Sequence, residues 1–324
     1  MRFTLISVYL LILVGGIVRA TGSGMGCPDW PRCFGLWIPP TQESQIRFQS
    51  SAQYEKGMMV IENDTLWVSR VKQLAAGGFI RENWYKYPKH DYAVYNVFQT
   101  WTEYLNRLLG ALVGLFVFIS VFIGIPILKH NTKYFLLALF LLILTGFQGW
   151  LGALVVDYHL APLRITVHML VALAMVAVLI FMQHSLSVFT KYSVGSITSV
   201  VYAFLILLLI QVVMGTQVRQ EVDIWMKGFK NIPDEWSTLL SVVFDFHRVM
   251  AIALFFMALF LFNKMAQNGG NPHSRNLIVL VVFEGLVGMF LSGLSLPNFI
   301  QPVHLVLSAL LFGTSMRLLV SVKK

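Results

Sequence analysis

The residues best suited to chemistry stand where charge is costly. Val97–Gly114, VFQTWTEYLNRLLGALVG, opens a long apolar run yet carries Glu103, Asn106 and Arg107. On a helix the i, i+3, i+4 spacing puts these three on one face. An ionisable group inside a membrane span costs several kcal/mol unless it is paired or functional. Two readings follow. Glu103 and Arg107 pair at a helix end and snorkel towards water, or the carboxylate is kept for a reaction. His168, His247 and His304 lie in comparable apolar settings, and Cys27 and Cys33 form a C-x5-C pair within GSGMGCPDWPRCFG.

These residues need apolar elements to hold them. The chain of 324 residues is 57% hydrophobic and 12% charged, with mean hydropathy +0.71, which excludes a soluble domain and predicts an all-α integral membrane protein. Eight stretches come close to, or exceed, the length that crosses ~30 Å of hydrocarbon. They are Phe3–Val18, Phe98–Leu128, Tyr134–Val156, Arg164–Phe189, Val194–Thr216, Ser237–Phe262, Asn276–Leu296 and Pro302–Val322. The first resembles a signal peptide but lacks a small-x-small cleavage site, so it reads as a retained span. No transit peptide is visible, which points to a bacterial plasma (inner) membrane rather than a mitochondrial one.

Lys129, Lys133, Lys191, Lys264, Arg275, Lys323 and Lys324 fall on one side. The positive-inside rule then makes both termini cytoplasmic and puts the long loop, residues 20–97, outside. That bias accounts for the +9 net charge and leaves no reason to invoke nucleic acid. On the oxidising side the cysteines read as a disulfide, either a local staple or a redox-active pair. The rest of the loop has mixed charge and aromatic content and reads as folded, without a motif.

The chain also matches itself. Gly15 and Val18-Arg19 align with Gly215 and Val218-Arg219, and Asn106-Arg107 with His247-Arg248. Gln148-Gly149 and Gly152 align with Glu284-Gly285 and Gly288, and His168 with His304. This predicts two tandem four-helix bundle repeats related by an axis along the membrane normal. The halves are residues 1–190, with the long loop, and residues 191–324. Asn106, His168, His247 and His304 then share one depth on even-numbered spans. A lone membrane histidine usually packs or hydrogen-bonds. Three at repeat-equivalent positions read instead as heme iron ligands within four-helix units. The second half has a full pair, His247 and His304. The first has His168 opposite Asn106, a poor ligand, with Glu103 one turn away where the second half has Phe244. An electron-transfer heme beside an open reaction site is the natural reading. His90, His130, His159, His184 and His273 read as solvated surface.

GGIVRATGSGMGCPDWPRC, EYLNR, ITVHMLVALA, FDFHR and QPVHLVLSA together resemble the heme A synthase family. The resemblance covers nearly the whole chain and is weakest in the loop. It implies eight helices in two halves and oxidation of the C8 methyl of heme O to the formyl of heme A, with oxygen from water. It further implies heme b on His247 and His304, His168 facing the substrate iron with Asn106 and Arg107 on the substrate side, Glu103 as catalytic carboxylate, and a Cys27–Cys33 disulfide. Heme O synthase and the cytochrome oxidase assembly machinery are the implied partners, within membrane lipid, and a homo-oligomer is compatible with it. Many members carry His where Asn106 stands, so a substrate iron bound through His168 alone is the simplest expectation. A diheme cytochrome b-type electron-transfer subunit and a heme-binding assembly or transport factor are the rivals.

Overall fold

A backbone in hydrocarbon has to satisfy its own hydrogen bonds, and long apolar runs do so as helices. The computed structural model describes residues 1–88, 95–157, 162–186, 192–193, 197–228, 242–293 and 299–323. Its helices are α1 (Arg2–Ala20), α2 (Val97–Ile127), α3 (Thr132–Asp157), α4 (Pro162–Leu186), α5 (Ile197–Gly228), α6 (Val242–Ala266), α7 (Pro272–Gly293) and α8 (Gln301–Ser321). Among the described residues, these eight are long and apolar enough to cross a membrane. His90, His159, Lys191 and Lys324, which bear on the sequence reading, lie outside the described residues, as do the predicted span ends at Phe189, Val194, Ser237 and Leu296.

Helix ends follow local chemistry. Pro162 and Pro272 open α4 and α7, positions where a missing N–H costs nothing. Asn131 accepts the Tyr134 N–H (3.0 Å) and Asn271 the His273 N–H (2.8 Å), capping α3 and α7. α5 departs from expectation. It continues past Thr216 through a polar tail to Gly228, where hydropathy gives no signal. Arg219 pairs with Asp223 at 2.7 Å across one turn of that tail.

The chain forms two compact units, one of residues 1–17, 110–151 and 161–324, the other of residues 18–109 and 152–160. In the first unit α5 packs on α6 and α8, α6 on α7, and α7 on α8, which closes a ring of four helices. α4 packs on α5 and α8. The core includes Tyr134, Leu141, Leu173, Phe204, Leu208, Leu261 and Met265. Polar pairs tie helix ends across it. Asn131 Nδ2 donates to the Ser185 carbonyl at 2.7 Å, and Asn271 Nδ2 to Ser321 Oγ at 3.0 Å. Arg317 of α8 donates to Gln183 of α4 at 2.9 Å.

The second unit holds the long loop, which folds around small sheets. β1 (Gln53–Tyr54) pairs with β4 (Gln73–Leu74), and β3 (Thr65–Ser69) is flanked by β2 (Met59–Glu62) and β5 (Trp84–Lys86). The period of two decides what each strand buries. Met59, Ile61, Leu66 and Val68 face a cluster containing both cysteines, while Val60 and Trp67 face Tyr54, Phe79 and Trp84. Asn63 and Asp64 make the β2–β3 turn with positive φ, 50° and 53°, the tight hairpin conformation that Asn and Asp tolerate.

Candidate functional site

The polar face of α2 is built as a clamp. Cys27 and Cys33 are joined by a disulfide, and the loop between them is held by three α2 side chains. Glu103 Oε2 accepts the Cys27 N–H at 2.8 Å, and Glu103 Oε1 pairs with Arg107 Nη2. Arg107 Nη1 donates to the carbonyls of Asp29 (2.7 Å) and Arg32 (3.0 Å), and its Nη2 to that of Cys27 (3.5 Å). Thr100 Oγ1 donates to the Gly26 carbonyl at 2.9 Å, and the Tyr87 hydroxyl to that of Pro28. Gly26 lies so close to α2 that a Cβ there would strike the Gln99–Thr100 backbone.

The i,i+4 ion pair expected from sequence is therefore present, but it does not reach for water. Glu103 is 3% exposed, because the loop covers it. Both cysteines are fully buried, so thiol exchange requires the loop to open first. Burial pushes the Asp29 carboxyl up, opposed by the N–H groups of Gly35 and Phe34 and by the charge of Arg107. Asn106 Oδ1 is buried with no hydrogen-bond partner.

The histidines, in the other unit, show the opposite condition. The Nδ1 atoms of His168, His247 and His304 are buried without a partner in hydrogen-bond geometry. Each histidine sits against the preceding helix. Gln148 Nε2 of α3 donates to the His168 carbonyl at 2.9 Å, and Gln211 Nε2 of α5 to the His247 carbonyl at 2.9 Å. Gln211 Nε2 also lies 3.5 Å from His247 Nε2. Glu284 of α7 approaches the ring itself, its Oε1 3.3 Å from His304 Nδ1. A glycine makes room for one ring and another lies at ordinary contact distance from a second. A Cβ on Gly215 would lie 3.1 Å from His247 Cε1, and one on Gly288 3.5 Å from His304 Cε1. Thr166 of α4 and Thr216 of α5 share a hydroxyl hydrogen bond of 2.8 Å, two residues before His168 and one after Gly215.

Imidazoles whose Nδ1 atoms are buried without a hydrogen-bond partner fit axial ligation of a heme. α6 and α8, which carry His247 and His304, both belong to the ring of four helices. Sequence reasoning missed Gln211 altogether. It noted Gln148, Glu284 and Gly288 only as repeat markers, though their spacing was readable. A Gln or Glu followed four residues later by Gly occurs on α3, α5 and α7, each time one helix before a histidine. The solvated-surface reading holds for exposed His130, but His184 and His273 are half-buried, since the ends of α4 and α7 carry the interhelical polar pairs.

Fold and site define a polytopic helical membrane protein with half-buried histidines on three of its spans. The COX15-CtaA family model, described as cytochrome oxidase assembly protein, matches residues 1–74 and 80–316, and the chain belongs to that family. It is similar to the heme A synthase of Shewanella oneidensis (26% identity over 56% of this chain and 43% of that protein). It is also similar to those of Ehrlichia ruminantium strain Gardel (26%, covering 66% and 56%) and Wolbachia pipientis wMel (24%, covering 98% and 90%). The matches thus span about half the length of the first two relatives and nearly all of the third.

Proposed function

We propose that this protein is a heme A synthase, oxidising the C8 methyl of heme O to a formyl group with oxygen taken from water. The observation that carries the reading is the seating of His247 and His304 against Gly215 and Gly288. Converting a methyl and a water to a formyl releases four electrons and four protons, so the protein needs an electron exit and a proton acceptor. Heme b, when bound, accepts and passes on single electrons. His247 and His304 hold it in the half formed by residues 191–324.

In the half formed by residues 1–190, His168 faces the iron of heme O, and Asn106 and Arg107 belong to the substrate-heme side. Asn106 offers no second imidazole, so His168 would be the one of these two residues to ligate that iron. Binding draws also on the apolar porphyrin face and farnesyl chain, at roughly 25 cal/mol per Å² buried. Glu103 is the catalytic carboxylate, taking a proton from water or stabilising positive charge on the oxidised carbon. A carboxylate acts more strongly there than in water, because the dielectric is low. A second role for Glu103 is favoured by its engaged oxygens, which hold the disulfide loop on α2.

Both termini are cytoplasmic and residues 20–97 lie outside. Heme O synthase, as supplier of substrate, and the cytochrome oxidase assembly machinery, as consumer of product, are the partners. Extraction and chromatography of the pigments in purified protein test the reading. Heme B with heme O or heme A is expected. Heme B alone under all conditions would favour a diheme cytochrome.

A further inference from the structure

The three Gln/Glu-x3-Gly pairs do not do the same thing. On α3 and α5 the polar member is an amide bound to the backbone carbonyl of the histidine it faces, Gln148 on His168 and Gln211 on His247. On α7 it is a carboxylate, and it addresses the ring, with Glu284 Oε1 3.3 Å from His304 Nδ1. The Glu284 side chain is 16% exposed and its Oε2 is buried without a partner. Among the described residues, His304 is the one polar group this carboxylate meets. An intramembrane carboxylate is too costly to keep for packing when an amide of the same shape serves at two sister positions.

We propose that Glu284 is a positioning residue for heme b. It takes the Nδ1–H of His304, presents Nε2 to the iron, and by its negative charge lowers the reduction potential of that heme. The inference rests on His304 being an iron ligand. Gly288, one turn beyond Glu284, lies beside the same ring, where a Cβ would stand 3.5 Å from His304 Cε1, so one turn of α7 meets the ring twice. A ligating histidine whose other nitrogen is bound by a carboxylate is fixed in orientation and is a stronger donor. A negative charge on the far side of a ligating imidazole, in low dielectric, would also favour the oxidised state. Beside the His247 ring stands the neutral amide of Gln211. The two axial ligands are thereby unequal, and the carboxylate biases heme b towards passing its electron on.

The test is a redox titration of heme b in the purified full-length protein, with its low-spin spectrum recorded alongside. Glu284→Gln should keep heme B content and the six-coordinate spectrum, because an amide serves at the sister positions. It should shift the reduced-to-oxidised ratio at fixed potential about tenfold towards reduced, which is about 59 mV for one electron. Heme retained with an unchanged potential overturns the proposal, as does loss of heme from a folded Glu284→Gln protein. Should that variant fail to fold, Gln211→Glu decides. A second carboxylate should move the ratio about tenfold the other way, and no movement overturns the proposal. His304→Ala separates this inference from the reading beneath it. If low-spin heme survives His304→Ala, the ligand assignment has failed. If it is lost while Glu284→Gln leaves the potential unmoved, only the role of Glu284 has failed.

Discussion

The clamp on α2 and the histidine layer both place polar side chains where water is scarce, and they settle the cost in opposite ways. Around Glu103 and Arg107 the charges are matched. The carboxylate has a cation and a backbone N–H, and the guanidinium has the carbonyls of Cys27, Asp29 and Arg32. Around His168 and His247 ring nitrogens are buried and unmatched. A buried polar atom left without a partner costs about 1–3 kcal/mol. The closed cluster fixes a loop.

Removing an imidazole should sharpen that contrast most. His247→Ala or His304→Ala should abolish the low-spin heme b spectrum and most of the heme B content. Wild-type spectra from both single variants would collapse the distinction.

Next comes Glu103→Gln, which keeps the shape and an acceptor for the Cys27 N–H but loses the charge. Turnover should fall by about 10²–10³ with heme b retained and heme O or a hydroxymethyl form accumulating, as chromatography of extracted pigments would show. Normal heme A yield would leave Glu103 with the clamp alone.

Arg107→Met tests the clamp from its other side. It strands a buried carboxylate and should cost about 3–5 kcal/mol of loop stability, read as faster proteolysis within residues 20–97 while the heme b spectrum persists. Gly26→Ala should act on the same loop more weakly, by about 1–3 kcal/mol, since its methyl meets the Gln99–Thr100 backbone.

The smallest effect is at Asp29. Its carboxyl is raised by burial, so the folded loop prefers the protonated form. The stability this brings is complete below the ordinary carboxylate range and is lost as pH rises through the raised value. Asp29→Asn should flatten that fall, measurable as hydrogen exchange of the loop against pH.

Eight helices and the family were legible in the residues, because hydrocarbon imposes length and apolarity on every span. The C-x5-C pair likewise declared its disulfide. The polar tail of α5 escaped, since its Arg219–Asp223 pair stabilises a helix that hydropathy does not register. The sheet in the long loop escaped too, although Asn63-Asp64 between alternating apolar residues was a readable turn signal.

What tertiary structure alone decided is where each polar group finds its partner. Sequence spacing put Glu103 beside Arg107 but could not bring the N–H of Cys27, 76 residues away, onto its second oxygen. Nor could it show that Gln148 and Gln211 bind a backbone carbonyl while Glu284 meets an imidazole. Periodicity fixes which face of a helix a residue occupies. The partner across the gap depends on rotation and approach, and these are set by packing, here by glycines that let one helix come within a methyl group of the next.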